Sequence, residues 1–229
     1  KSVMQHVPRI APHLFIGVPR FYEKLYAGIQ SAIDAGPDWR RRLADWAISA
    51  GDRDARARRG SARLGAGGRI AAAVAERLVL RPLRRRIMGG NLRFFISGSA
   101  PIPVWLLERF HAFGFPILEA YGLSESIVPV AANRPENFRF GTVGLPLAST
   151  EVRLADDGEL LLRGPGVFRA YLGDAVERVD ADGFLASGDY ATIDGDGFIT
   201  LTGRKSDLFK TSTGRRIAPA RIEGQLRRI

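Results

Sequence analysis

Cysteine is absent from the 229 residues. Disulfides and thiolate metal sites are therefore excluded, which fits a reducing compartment such as the cytoplasm. Lysine is nearly absent too: it supplies four of the 34 basic residues, and arginine the rest. No apolar run approaches the roughly 18 residues that a membrane span needs. No signal peptide is recognisable at the start. The first residue is Lys1, so the expectation is a piece of a longer chain. What is present suffices for a packed core. Hydrophobic residues make up 45% of the chain and charged residues 25%, which argues against disorder. The length suits one large domain or one and a half ordinary ones.

Charge is unevenly placed. The net charge is +10, made of +12 over residues 1–93 and −2 over the remainder. A basic face of that kind suits an anionic membrane surface or a nucleic acid. No nucleic-acid motif and no aromatic ladder accompanies the arginines, so no nucleic-acid partner is expected. The arginine bias itself favours a solvated helical surface, and so does the run Arg84-Arg85-Arg86.

The periodicities predict an α/β chain. Leu14, Phe15, Ile16 and Val18 read as a short buried strand that Pro19 ends. Phe21, Leu25, Ile29 and Ile33 repeat every four residues, one apolar helix face stopped by Gly36-Pro37. Trp39, Leu43, Trp46 and Ala50 form a second helical stripe; Ile70, Val74 and Leu78 begin a third. Between them, residues 51–68 read as a frayed helix end and a loop. Leu92 to Ile96, the helix bearing Trp105, Leu106 and Phe110, and Pro116 to Glu119 form a βαβ unit. His111 on that helix reads as a surface or packed residue. From Gly141 the period becomes that of short strands, suggesting a small β-barrel or meander. Asp194-Gly195-Asp196-Gly197 has calcium-like acidic spacing without the remaining ligands, and is predicted to be a hairpin turn.

The chemistry concentrates at Glu119-Ala120-Tyr121-Gly122-Leu123-Ser124-Glu125-Ser126, directly after a predicted strand. Open α/β sheets place ligands at that end of a strand. Gly122 offers unusual backbone angles, Ser124 a hydroxyl for a phosphate oxygen, Glu125 a hard ligand for Mg2+, and Tyr121 a flat face for a base. The bland alternative is a tight turn with a polar tip. The turn Ser97-Gly98-Ser99-Ala100 ends the other strand of the unit and is expected on the same sheet edge. Asp189, after Ser187-Gly188, is either a turn aspartate or an acceptor for two vicinal hydroxyls.

Together, Phe95-Ile96-Ser97-Gly98-Ser99-Ala100-Pro101, Ala120 to Glu125, Gly141 to Pro146, Gly158 to Gly164, Ser187-Gly188-Asp189 and Gly203 to Lys210 resemble the adenylate-forming superfamily. Ile217-Ala218-Pro219 with Ile222-Glu223 continues the likeness, and Val18 to Lys24 resembles the long-chain fatty acyl-CoA synthetases. The resemblance implies ATP-dependent activation of a fatty acid to acyl-AMP, then transfer to coenzyme A. It implies that Gly98, Ser99 and Ala100 line the adenine pocket and Tyr121 stacks on the adenine. Ser124 would contact the α-phosphate, Glu125 would hold Mg2+, Asp189 would bind the ribose hydroxyls and Arg204 would reach ribose or phosphate. Lys210 would act in the thioester step.

Three departures accompany it. The family's Ser/Thr/Gly-rich phosphate loop and its C-terminal lysine lie outside the sequence, and Ser206 stands at the hinge where Lys or Asp is usual. The isolated segment is therefore expected to be inactive or severely impaired. The expected divisions are a basic helical part of the large domain over 1–93 and a nucleotide-binding βαβ part over 94–140. A β-barrel over 141–202 and the hinge with the start of a C-terminal lid over 203–229 complete the chain. A cytoplasmic enzyme, peripheral contact with anionic membrane and a homodimer are compatible with this reading. Two other readings stay open: an acyl-AMP ligase delivering to a carrier protein, and a non-catalytic fragment that binds nucleotide or membrane.

Overall fold

The computed structural model describes residues 5–126, 129–173, 179–207, 209–210 and 216–217, the last four by their backbone. The chain divides into two compact units, Lys1–Leu118 and Glu119–Ile229.

In the first unit, α1 (Val7–Ile10) precedes β1 (Leu14–Gly17), the strand predicted between the prolines. Pro19 opens α2 (Pro19–Asp34), where a missing N–H costs nothing. The strand β2 (Phe94–Ser97) runs parallel to β1, Leu14 opposite Phe94 and Gly17 opposite Ser97. α6 (Val104–Ala112) follows, and Phe95 N–H donates to Pro116 O at 2.8 Å, just ahead of β3 (Ile117–Tyr121). The core is aromatic: Tyr22, Phe95, Phe110, Phe113 and Phe115 are all fully buried and meet edge-on or tilted. The Tyr22 hydroxyl is satisfied by Ile96 O at 2.6 Å. Of the periodic stripe of α2, Ile29 is buried and Phe21, Leu25 and Ile33 are half-buried, and the neighbouring Tyr22 reaches deepest into the core.

The next three helices correct the sequence reading. α3 spans Asp38–Arg58, so the expected frayed segment is helical for another two turns, with Arg56–Asp52 and Arg58–Asp54 pairs at i,i+4 along it. Its buried face is Ala47 and Ala50, packed with Ala75 and Leu80, while Trp39 stays 61% exposed. α4 (Ala66–Ala75) likewise buries alanines and leaves Ile70 and Val74 outside. Small side chains let the helices approach closely, and the larger apolar stripes are left facing outward. A π turn at Glu76–Leu80 joins α4 to α5 (Arg81–Met88), in which Pro82 cannot donate the usual helical bond. Arg84 is no surface cation: it forks onto Glu76 and donates to Phe113 O at 3.0 Å. Burial holds His111 down at about pKa 4, with Arg59 acting the same way, so its imidazole is neutral and packed.

The second unit is antiparallel. The end of β3 pairs with β4 (Ala131–Ala132), and β4 with β5 (Leu145–Pro146). A separate four-stranded meander follows in sequence order: β6 (Glu151–Leu154), β7 (Glu159–Arg163), β8 (Leu185–Ile193) and β9 (Ile199–Arg204). It is an open sheet rather than a closed barrel. β8 is the longest of these strands, with register shifts against both neighbours. Leu160, Leu162, Ala191 and Ile199 from this sheet share a core with Tyr121, Val130 and Ala131.

Two turns are built alike. Asp180 Oδ1 accepts from Asp182 N and Phe184 N; Asp194 Oδ1 accepts from Asp196 N and Phe198 N. The second is thus the predicted hairpin turn, and no cluster of three metal-ligating residues exists among the described residues. Gly144 adopts φ 91°, and a Cβ there would stand 2.0 Å from Ala132 C, so glycine is required. A 3-10 turn, Lys205–Asp207, leaves the meander, and β10 (Phe209–Lys210) pairs antiparallel with β11 (Arg216–Ile217). The expected features at Ala218-Pro219 and Ile222-Glu223 lie outside the described residues. No described helix is long and apolar enough to cross a membrane.

Candidate active site

The second unit brings three of the predicted residues together. Tyr121 ends β3, and its hydroxyl donates to Asp189 Oδ2 at 2.6 Å. Asp189 and Arg204 stand opposite each other on β8 and β9, and Arg204 Nε lies 3.5 Å from Asp189 Oδ1. Asp189 sits within β8 and is not a turn aspartate. Gly188, with φ 76°, and the adjacent register shift turn the backbone there. The Asp189 N–H donates to Ser187 Oγ at 3.1 Å. The result is a half-buried carboxylate flanked by a phenol and a guanidinium. Burial raises the Tyr121 pKa well above the usual tyrosine range, and the bond to Asp189 acts in the same direction, so the phenol stays a donor.

Ser124 and Glu125 occupy the turn after Tyr121. Ser124 is exposed. Glu125 accepts from the Tyr171 hydroxyl at 2.5 Å, which holds its carboxyl below the usual range and keeps it ionised. Phe168 N–H donates to Glu125 O at 2.8 Å, and Ser126 bridges to Val167. A single oriented carboxylate is what Mg2+ needs when substrate phosphates complete its shell, so the donor set fits that ion. Left-handed backbone angles fall at Gly188 and at Ser99 (φ 69°), not at Gly122.

In the first unit, the turn after β2 carries Gly98, Ser99 and Ala100, with Ser97 buried beside them. Among the described residues, Ser97 Oγ is buried and finds no hydrogen-bond partner. The backbone of Lys210 pairs with Arg216 in the β10–β11 hairpin.

Sequence reasoning missed three groups. Glu119 opens the central motif, yet it is buried and contacts Gly141 N–H at 3.2 Å. Burial pushes its carboxyl up to about 8, partly offset by that bond. Its β3 neighbours Ile117 and Leu118 are equally buried. An acid adjoining such an apolar run is the signal that was available. Tyr171 and Glu159 gave no such signal, because their partners are 46 and 29 residues away along the chain.

The AMP-binding enzyme family matches residues 1–172. Over 99% of its length the chain is 39% identical to the long-chain-fatty-acid–CoA ligase FadD15 of Mycobacterium bovis, of which it covers 38%. It spans about two fifths of the length of the curated relatives it matches. O-succinylbenzoate CoA synthetase (MenE) of Bacillus subtilis, solved with its acyl-adenylate intermediate, is 31% identical with a TM-score of 0.56. That match covers 61% of this chain and 31% of the synthetase. The same enzyme with ATP and magnesium matches 98% of this chain and 38% of its own, at 22% identity and a TM-score of 0.63, a likeness of fold.

Proposed function

Because this chain belongs to the AMP-binding enzyme family, we propose that it is the central part of an AMP-forming long-chain fatty acid–CoA ligase. The observation that carries the reading is the Tyr121–Asp189–Arg204 cluster, built from three separate strands at the end of the family's central motif. An acceptor held between a phenol and a guanidinium suits vicinal ribose hydroxyls. In this reading Asp189 takes the ribose, Tyr121 borders the adenine, and Arg204 faces ribose or phosphate. Gly98, Ser99 and Ala100 supply backbone contacts to adenine.

Both reactants of the first step are anions, a carboxylate and a triphosphate. Their repulsion has to be offset where charge builds at the α-phosphorus. Ser124 donates its hydroxyl to an α-phosphate oxygen. Glu125, ionised and oriented by Tyr171, holds Mg2+, which supplies charge neutralisation on the phosphates when bound. The fatty acid carboxylate displaces pyrophosphate and gives acyl-AMP. The coenzyme A thiol then displaces AMP, and Lys210 serves this second step from beyond the joint at Ser206. The joint bends between two lid positions, one for each half-reaction.

The experiment gives the full-length protein ATP, magnesium, a panel of fatty acids and coenzyme A. Pyrophosphate release times the first half-reaction and single-turnover thioester formation the second. Long-chain acids are expected to support both. Lys210→Ala is expected to slow the second step at least tenfold more than the first, the size of one lost charged contact. Pyrophosphate release with no thioester product would replace coenzyme A by another acceptor, and equal slowing of both steps would remove Lys210 from its role.

A further inference from the structure

Glu159 is a buried carboxylate that the proposed reaction leaves unused. It opens β7 with its side chain 9% exposed. Each oxygen has its own partner. Oε1 accepts from Gly188 N–H at 2.9 Å, and Oε2 accepts from Lys205 Nζ at 2.6 Å. The ammonium is shared with Asp157 Oδ2 at 3.0 Å, and Tyr190 O–H donates to that same oxygen at 3.3 Å. Gly188 directly precedes Asp189, and Lys205 directly follows Arg204. Asp189 and Arg204 are the cross-strand pair of the candidate site. One buried carboxylate therefore grips the residue next to each member of that pair.

The local backbone explains why such a grip is needed. Both register shifts of β8 fall close to Asp189, one against β7 and one against β9. Ladder hydrogen bonds are interrupted at a bulge, so the strand alone does not fix the direction of the Asp189 side chain. Gly188, in the left-handed region, adds freedom that a hydrogen bond to its N–H restricts. A carboxylate is a strong acceptor for that N–H. Buried without a cation, however, it would be costly, and Lys205 supplies the cation.

We infer that Glu159 is a positioning residue for nucleotide binding, aiming Asp189 through the Gly188 N–H while Lys205 pins the carboxylate in place. The inference rests on the ribose reading of Asp189 given above. A residue that merely holds the fold would change affinity for every nucleotide alike. A residue that aims the ribose acceptor changes discrimination between ribose and deoxyribose.

The test measures dissociation constants of AMP and 2′-deoxy-AMP by calorimetry on the full-length protein, without turnover. The readout is the ratio of the two. Glu159→Ala removes the acceptor from Gly188 and is expected to shrink the preference for AMP by about tenfold, the worth of one charge-assisted hydrogen bond. Glu159→Gln keeps an oxygen for Gly188 N–H and is expected to retain the preference to within about threefold. Lys205→Met, at a half-exposed side chain, keeps the assay decisive if Glu159→Ala fails to fold. It leaves the carboxylate unpinned and is expected to shrink the preference by about threefold. An unchanged ratio in Lys205→Met, or equal losses for both nucleotides in Glu159→Ala, overturns the inference. An unmodified protein that binds AMP but does not prefer it over the deoxy form overturns the ribose reading instead.

Discussion

The two units use arginine in opposite ways. In the second unit Arg139 and Arg153 are each committed to an aspartate turn. Arg139 pairs with Asp194 and with Asp196 at 2.7 Å while lying 4.5 Å over the Phe198 ring. Arg153 pairs with Asp180 at 2.8 Å and lies 4.0 Å over Phe184. Each cation thereby braces a tight aspartate turn at one end of β8, the strand that carries Asp189. In the first unit basic residues far outnumber acids, and the helix-surface pairs are i,i+3 and i,i+4 contacts on exposed faces. Such pairs contribute little individually. Charge in the second unit sets geometry, whereas the excess in the first makes a field.

If that contrast holds, the units separate under mutation. The largest effect belongs to Glu125→Ala in the full-length protein. Losing the metal ligand is expected to cost about 3 kcal/mol or more in the adenylation transition state, on the order of a hundredfold in rate. Melting temperature should stay within a few degrees, because Glu125 lies in a surface turn. Pyrophosphate release together with a thermal melt checks both halves. Near-normal release by a folded variant removes the metal role.

Arg84→Met is the counterpart in the first unit. Arg84 is the cation there that does set geometry, with its side chain 21% exposed. Its loss strands Glu76 and Phe113 O, and is expected to cost about 1–2 kcal/mol, or about 3–6 °C in melting temperature. Adenylation by the folded fraction should be unchanged. A rate loss as large as that of Glu125→Ala would break the division.

Much of this was legible in the sequence and some was not, for physical reasons. The βαβ unit was readable because apolar runs and glycine turns are local signals: β2, α6 and β3 fall where the pattern puts them. The helices α3 and α4 were readable as helices but their orientation was not, because packing through Ala47, Ala50, Ala72 and Ala75 turns the larger apolar residues outward. A stripe of tryptophan and leucine looks like core whichever way it faces. Tyr121, Glu125 and Asp189 carried local signals as candidates, whereas Arg204 and Lys210 were singled out through motif resemblance alone. That Tyr121 bonds Asp189, and that Glu159 holds Gly188 and Lys205, depends on strand register. Register shifts at a bulge have no short-range signature.

Glu119 tests the second unit through pH. Its carboxyl is raised to about 8 by burial, while in the unfolded chain it titrates near the ordinary value of about 4.3. Between those values the folded state holds the proton and the unfolded state does not. Stability from this group is therefore fully present below about pH 4 and is lost as pH rises toward 8. Glu119→Gln keeps a carbonyl oxygen for Gly141 N–H and removes the titration. It is expected to raise melting temperature by about 2–4 °C or more at pH 8, with little change at pH 5. In the first unit His111 runs the other way. It is held neutral down to about pH 4, and its share is lost as pH falls below its ordinary range. Melts of the unmodified protein and of Glu119→Gln from pH 4 to 9 resolve the two slopes; a pH-independent gain in Glu119→Gln would contradict the buried-carboxyl account.

The smallest effect concerns the outward face of the first unit. Trp39 is 61% exposed, Ile70 65% and Leu78 65%, within a stretch of net charge +12. Arg40 lies 5.1 Å from the Trp39 ring centroid, so cation and aromatic surface are adjacent. A basic surface with exposed apolar side chains suits an anionic lipid headgroup layer, each basic residue near it adding about 1 kcal/mol. Arginine on a solvated helix would carry the same charge without binding anything, and ionic strength tells the two apart. Co-sedimentation of the full-length protein with phosphatidylserine vesicles is expected to be weak at low salt and to fall several-fold near 0.5 M, where the Debye length is well under 10 Å. Trp39→Ser should lower it further and change stability by no more than about 0.5 kcal/mol, because the side chain supports no core. Binding that ignores salt, or a Trp39→Ser variant that unfolds, would place this face among the structural elements and erase its contrast with the second unit.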